Sequence, residues 1–332
     1  MKNSKNLAKS TLININLERI ITMKKIAYMI AALPLALFAK SASADISVSG
    51  SATAAYTDAG GNASSTFGGG VSFSMSTTTD GGVTISASSA IGNDSDSVGS
   101  GSQVTGVTAL TFGFANGSIT IGQDVGTPDG KGIVGELVSY ADDNQVAKTA
   151  SVGLTEDEGD GISVSTSIGD MSLTAAYVYD GAGGGNVDGA TNTAAGASLS
   201  MPIGGGTLTL ATADEDISGT NNTEFGAAYV MPAAGGTLSL GFTGTDGDTA
   251  AKEGEAVSVA YSTSLGGASV AIGYTGHDAN NKTSNQTDVT LSSSLGGGAS
   301  IFAEYTNVSG DIAASSATKD ATVIAIGTSI SF

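Results

Sequence analysis

The side chains able to carry covalent chemistry are few in this sequence: one histidine, His277, and no cysteine. A hydrolase built on an activated hydroxyl needs a base held beside its nucleophile, normally a positioned His. His277 follows Gly276 in a polar stretch that suits a surface side chain, so these residues point away from an enzyme. The absence of Cys excludes disulfides and attachment of lipid to an amino-terminal thiol. Carboxylates are plentiful instead. Glu156 to Asp160, Asp214 to Asp216, and Asp246 with Asp248 resemble weak calcium clusters, because hard cations take several oxygen ligands. None has the twelve-residue ligand spacing and no nonapeptide repeat recurs, so acidic loops that keep a surface soluble fit better. The glycine runs lack a strand-loop-helix setting and do not read as phosphate cradles. No cofactor is expected.

One acidic stretch stands apart by its length. From Gly122 to Asp143 the chain carries Asp124, Asp129, Glu136, Asp142 and Asp143, with Lys131 among them. An apolar cluster of Ile133, Val134, Leu137, Val138 and Tyr140 is interleaved. A break this long between regular elements is usually functional or disordered.

The elements that would position these residues begin after a targeting segment. Residues 23–44 read as an export signal: Lys24 and Lys25, an apolar run from Ile26 to Phe38, and Ala42-Ser43-Ala44 before Asp45. The apolar run is too short to span a bilayer. Residues 1–22 are polar and basic and read as an upstream extension ahead of a start at Met23. Beyond residue 44 stand thirty acidic residues against five Lys and no Arg, a formal charge of −25 (five minus thirty). No basic patch exists to meet phosphates, which excludes nucleic-acid binding. The 49 Gly would suggest disorder, but Pro numbers only 4 and the large apolar residues recur with period two.

That period is clearest at the end. In Ala321 to Phe332, Ile324, Ile326, Thr328, Ile330 and Phe332 share one face of a strand, and Val323, Ala325, Gly327, Ser329 and Ser331 the other. Earlier runs repeat the division: Leu173, Tyr177 and Tyr179; Leu208 and Leu210; Leu238, Leu240 and Phe242; Val257, Val259 and Tyr261; Val270, Ile272 and Tyr274. Their alternates are small or hydroxylated. A sandwich core made of the small set would be nearly empty, whereas a water-filled lumen tolerates it. Seven short Gly- or Asn-bearing breaks, such as Thr79–Gly82 and Leu265–Gly267, alternate with eight long polar ones. The long breaks fall near 57–65, 92–103, 124–148, 180–193, 213–222, 245–254, 276–286 and 307–320. Fifteen connections join sixteen strands, and every long break lies at one end. The irregular piece Lys148 to Asp160 is assigned to the start of the sixth strand, because a separate strand there would break the parity. The fold class is therefore all-β: a transmembrane antiparallel barrel over residues 45–332, of a size that leaves an aqueous channel. Tyr56, Phe67, Tyr179, Phe225, Tyr274 and Tyr305 mark an interfacial girdle at the long-loop end, with Phe332 at the other.

With its export signal, eight hairpins and terminal Phe332, the chain resembles the general-diffusion porins of Gram-negative outer membranes, the sixteen-stranded trimeric family. The resemblance covers all of residues 45–332. It implies a homotrimer in outer-membrane lipid, passing small hydrophilic solutes, with the terminal aromatic read by the barrel-assembly machinery. It also implies that the third loop folds into the barrel, making Asp124, Asp129, Lys131, Glu136, Asp142 and Asp143 the constriction candidates. The chain lacks the Arg cluster that commonly lines one wall in that family, and its charge favours cations in transit. A non-channel surface β-protein of adhesin or surface-layer type, and a substrate-specific channel, are the alternatives.

Overall fold

The computed structural model describes residues 44–59, 62–93, 103–126, 158–179, 193–217, 220–248, 253–279, 282–310 and 321–332. Strands make up nearly all of them. In chain order they are β1 (Ala44–Ala59), β2 (Asn62–Thr78), β3 (Thr84–Asn93), β4 (Gln103–Thr105), β5 (Ala109–Phe114), β6 (Gly117–Gly126), β7 (Glu158–Ile168), β8 (Met171–Tyr179) and β9 (Thr193–Ile203). They continue as β10 (Gly206–Ile217), β11 (Thr220–Ala233), β12 (Gly236–Gly247), β13 (Gly254–Leu265), β14 (Ala268–Ala279), β15 (Lys282–Gly296), β16 (Ala299–Gly310) and β17 (Ala321–Ser331).

Apart from β4 and β5, each strand pairs antiparallel with its sequence neighbours, so the sheet is a meander of hairpins. β4 and β5 both pair with β3 and fill one position of the wall, which makes seventeen segments into sixteen staves. β1 closes on β17 in a register that sets Tyr56 opposite Ile326. Phe332 adds the last rung, exchanging two backbone hydrogen bonds with Gly50. In lipid an open edge would leave backbone groups unsatisfied at several kcal/mol each, so closure is what makes the sheet tenable there.

Alternation sorts the side chains. One face carries exposed large apolar residues, among them Leu210, Leu240, Val257, Ile272, Leu291, Ile301 and Ile326. The other carries Ser, Thr, Gly and Ala, joined across strands by hydroxyl pairs such as Thr111–Thr120 (2.9 Å), Ser165–Thr174 (3.0 Å), Ser200–Thr209 (2.8 Å) and Ser300–Ser329 (2.7 Å). The apolar face is the outside of the barrel and the hydroxylated face its lumen. The short turns supply the left-handed backbone that tight hairpins demand. Gly204 and Gly205, for example, have φ of 60° and 86°, and Gly266 and Gly267 have 61° and 89°.

Several stretches expected as long loops are paired strand instead. β10 and β11 run on to Ile217 and Thr220, and β14 and β15 to Ala279 and Lys282. The breaks expected at 213–222 and 276–286 are therefore mostly ladder. Polarity there marks the height at which the wall leaves the bilayer, not the end of hydrogen bonding. Asp214 and Asp278 sit on the same outer face as Leu210 and Tyr274, two or more residues beyond the girdle. The start of β7 at Glu158 agrees with the sixth-strand assignment of Asp160, while 148–157 lie outside the described residues.

Candidate functional site: the pore wall

The inner face is divided by charge. On β5, β6, β7, β8 and β9 it presents Thr111, Thr120, Ser163, Ser165, Thr174 and Ser200 and their small neighbours, with no carboxylate among the described side chains. From β10 to β16 it carries Glu215, Glu224, Asp288 and Glu304, placed by register on the face opposite Leu210, Phe225, Val289 and Tyr305. Glu215, Glu224 and Asp288 are buried, with relative exposures of 2%, 0% and 5%.

The wall itself holds these carboxylates. The Asn222 amide donates to Glu215 Oε2 at 3.4 Å, and the Thr243 hydroxyl to Glu224 Oε1 at 3.4 Å. Asp288 accepts a short bond of 2.6 Å from Thr306 across the β15–β16 ladder. It accepts two more, at 3.1 and 3.0 Å, from Gln286 on its own strand. These donors are neutral, so the bonds they make orient the carboxylates without adding a positive charge. Hydrogen bonds to charged acceptors are worth about 1.5–3 kcal/mol each when buried, which fixes the side chains in place.

Asp214, Glu215 and Asp216 lie on alternating faces: Asp214 and Asp216 outside, Glu215 inside. Such a run cannot converge on one ion. Asp214 instead accepts a 2.7 Å hydrogen bond from Thr223 on the outer surface. His277 is on β14, inside the lumen between Ala256 and Ser284, and not on a loop. Neither of its nitrogens has a partner, and the Ser284 hydroxyl opposite has none either. A nucleophile activated by a base requires a hydrogen bond between them, and these two residues do not make one.

Of the constriction candidates, Asp124 lies in β6 at an irregularity of the β6–β7 ladder between Gly122 and Val125. Asp129, Lys131, Glu136, Asp142 and Asp143 lie outside the described residues. Sequence reading missed the wall carboxylates: Glu215 sits in the stretch 213–222 read as a polar loop, and Glu224 just beyond it. The signal was present: extending the period-two count past Leu210 and back from Phe225 puts both inside.

The model of the Gram-negative porin family matches residues 31–327. This chain belongs to that family. Porins are channels and not enzymes, and this one resides in the outer membrane. A search of curated proteins found no match. Solved structures share the fold. OmpT, an outer membrane protein of Vibrio cholerae in its trimer form, aligns at 10% identity with a TM-score of 0.66, covering 87% of this chain and all of that one. An anion-selective porin from Comamonas acidovorans aligns at 15% identity with a TM-score of 0.62, again over 87% of this chain and 100% of the other. A mutant of the Rh. blastica porin aligns at 18% identity and 0.63, with the same coverage. At these identities the likeness concerns the fold. Family and barrel together set aside the non-channel surface protein in favour of a general outer-membrane channel.

Proposed function

We propose that this porin is a passive, water-filled channel for small hydrophilic solutes that prefers cations and assembles as a homotrimer. The observation that carries the cation preference is the inner wall from β10 to β16. Of its four carboxylates, Glu215, Glu224 and Asp288 accept from neutral donors, and no Lys or Arg is among the described side chains of that face. A carboxylate about 4 Å from an ion is worth about 1 kcal/mol in bulk water and about 4 kcal/mol at an effective dielectric of 20. Since the fold also serves a porin named for anion selectivity, the sign of the preference belongs to side chains and not to the barrel.

The third loop is the constriction in this reading, with Asp124, Asp129, Glu136, Asp142 and Asp143 outweighing Lys131. Its length and apolar cluster support docking against the wall. Residues 23–44 act as the export signal, leaving a mature chain from Asp45, and Phe332 is the residue the assembly machinery recognises. Trimeric OmpT supports the assembly state.

The deciding measurement is the zero-current potential across a tenfold KCl gradient in a planar bilayer. A cation-selective sign is expected, clearest in dilute salt, because the Debye length falls to about 3 Å at 1 M. An anion-selective sign would end the proposal. Removing Gly126 to Gly135 should raise single-channel conductance and admit larger sugars; an unchanged size cut-off would place the constriction elsewhere.

A further inference from the structure

Every aromatic residue of the described strands lies on the outer face of the barrel except one. Phe302 is on β16, on the face shared with Ser300, Glu304 and Thr306 and opposite to that of Ile301 and Tyr305. The hydroxyl bond from Ser300 to Ser329 confirms that this face is the lumen. The ring folds sideways over Gly327 of β17, its Cζ and Cε1 occupying the space where a Cβ of residue 327 would stand. A glycine opposite an aromatic lets the ring lie against the backbone, and Phe302 is half-buried in consequence. It is an aromatic ring on a lumen face of mostly small and hydroxylated side chains, joined on these two strands by Glu304, Val308 and Val323, and it does not contact lipid.

Its neighbours supply a second property. Two residues along β16 on the same face is Glu304, about 7 Å further up the wall. Two residues beyond is Thr306, which donates to Asp288 of the adjacent strand. The wall thus offers a π-face and a carboxylate in one column, with Asp288 on the neighbouring β15 further along. Asp288 is held by neutral donors only. The quadrupole of an aromatic face attracts cations, most effectively weakly hydrated ones with apolar substituents. An alkali ion holds its water too tightly to gain from the ring, and a neutral solute gains nothing from the carboxylates' charge.

We infer that Phe302, Glu304 and Asp288 form a subsite for organic ammonium ions on the pore wall, with the alkylated nitrogen over the Phe302 ring and its charge facing Glu304. The subsite rests on the channel reading above and goes beyond it, since carboxylates alone would favour all cations alike. It makes the pore a selective path for quaternary or polyalkylated amines, which dwell at the ring before passing on.

The test is single-channel recording of the purified porin in KCl with choline added to one side. Its neutral isostere 3,3-dimethylbutan-1-ol and glucose serve as comparison solutes. Choline is expected to interrupt the current in a saturable, voltage-dependent manner, and the two neutral solutes are not. Phe302→Leu should weaken the interruption about three- to tenfold, and Phe302→Tyr should retain it. Glu304→Gln should weaken it about fivefold. The zero-current potential in KCl alone, measured on each variant, reports the general cation preference, and Phe302→Leu should leave it unchanged. Equal interruption by choline and the neutral isostere, equal interruption by glucose, or full block in Phe302→Leu would each overturn the subsite. A cation-selective KCl potential alongside any of those results would leave the channel reading standing, whereas an anion-selective one would remove its basis.

Discussion

Two faces of one strand show how this protein divides its labour. On β12, Leu238, Leu240 and Phe242 point to the outside, and Ser239, Gly241 and Thr243 to the lumen. The residues are interleaved one by one along the same ladder, yet they answer to different solvents. The outer set must be apolar to cross the bilayer. The inner set needs only to be small and wettable, so it is free to carry charge. A change of one residue in position therefore changes the physical question being asked.

The sharpest way to break that comparison is to place one charge on each side. Leu240→Arg puts a guanidinium on the lipid face, at a cost of about 2–4 kcal/mol near the midplane. The yield of folded, heat-modifiable protein in the outer membrane should fall steeply. Ser239→Lys, one residue away, should fold at normal yield and move the KCl zero-current potential toward anions. If both variants were lost alike, the inner face would be a packed core and not a lumen.

A smaller effect is expected from neutralising charges on matched heights of β10 and β11. Glu215→Gln with Glu224→Gln should reduce cation preference measurably. Asp214→Asn with Asp216→Asn, on the outer face of the same turn, should leave it nearly unchanged. Equal shifts in the two pairs would mean that the rim as a whole, and not the wall, sets selectivity. The smallest effect should come from Gly244→Ala. The atoms nearest to its added Cβ belong to the Phe225 ring, which lies outside and can swing into lipid. A loss of about 1 kcal/mol, at the low end of overpacking costs, should lower the heat-modification temperature by a few degrees.

Much of the fold was legible because period two is a property of backbone geometry. Leu208, Leu210, Tyr274 and Ile326 reported their faces directly, and the turn glycines their left-handed φ. Strand ends were not legible. Polar residues such as Asp214 and Asp278 stop being costly on the outside once the wall clears the lipid, so composition changes before hydrogen bonding does. The same confusion hid Glu215, and it placed His277 on a loop when it faces the lumen from β14. The constriction candidates apart from Asp124 lie outside the described residues, so the inner wall carries the geometric part of the argument.

The rung between Gly50 and Phe332 has a kinetic meaning as well. Every other pairing in the barrel joins strands that are near neighbours in the chain, so hairpins can form as the polypeptide arrives. The β1–β17 seam alone joins the two ends, Tyr56 opposite Ile326, and pays nearly the whole loop-closure cost at once. The first strand delivered gains its second neighbour last. Until then both edges are open templates for pairing with other chains. Escort through the periplasm therefore has to last until β17 and Phe332 can close on β1.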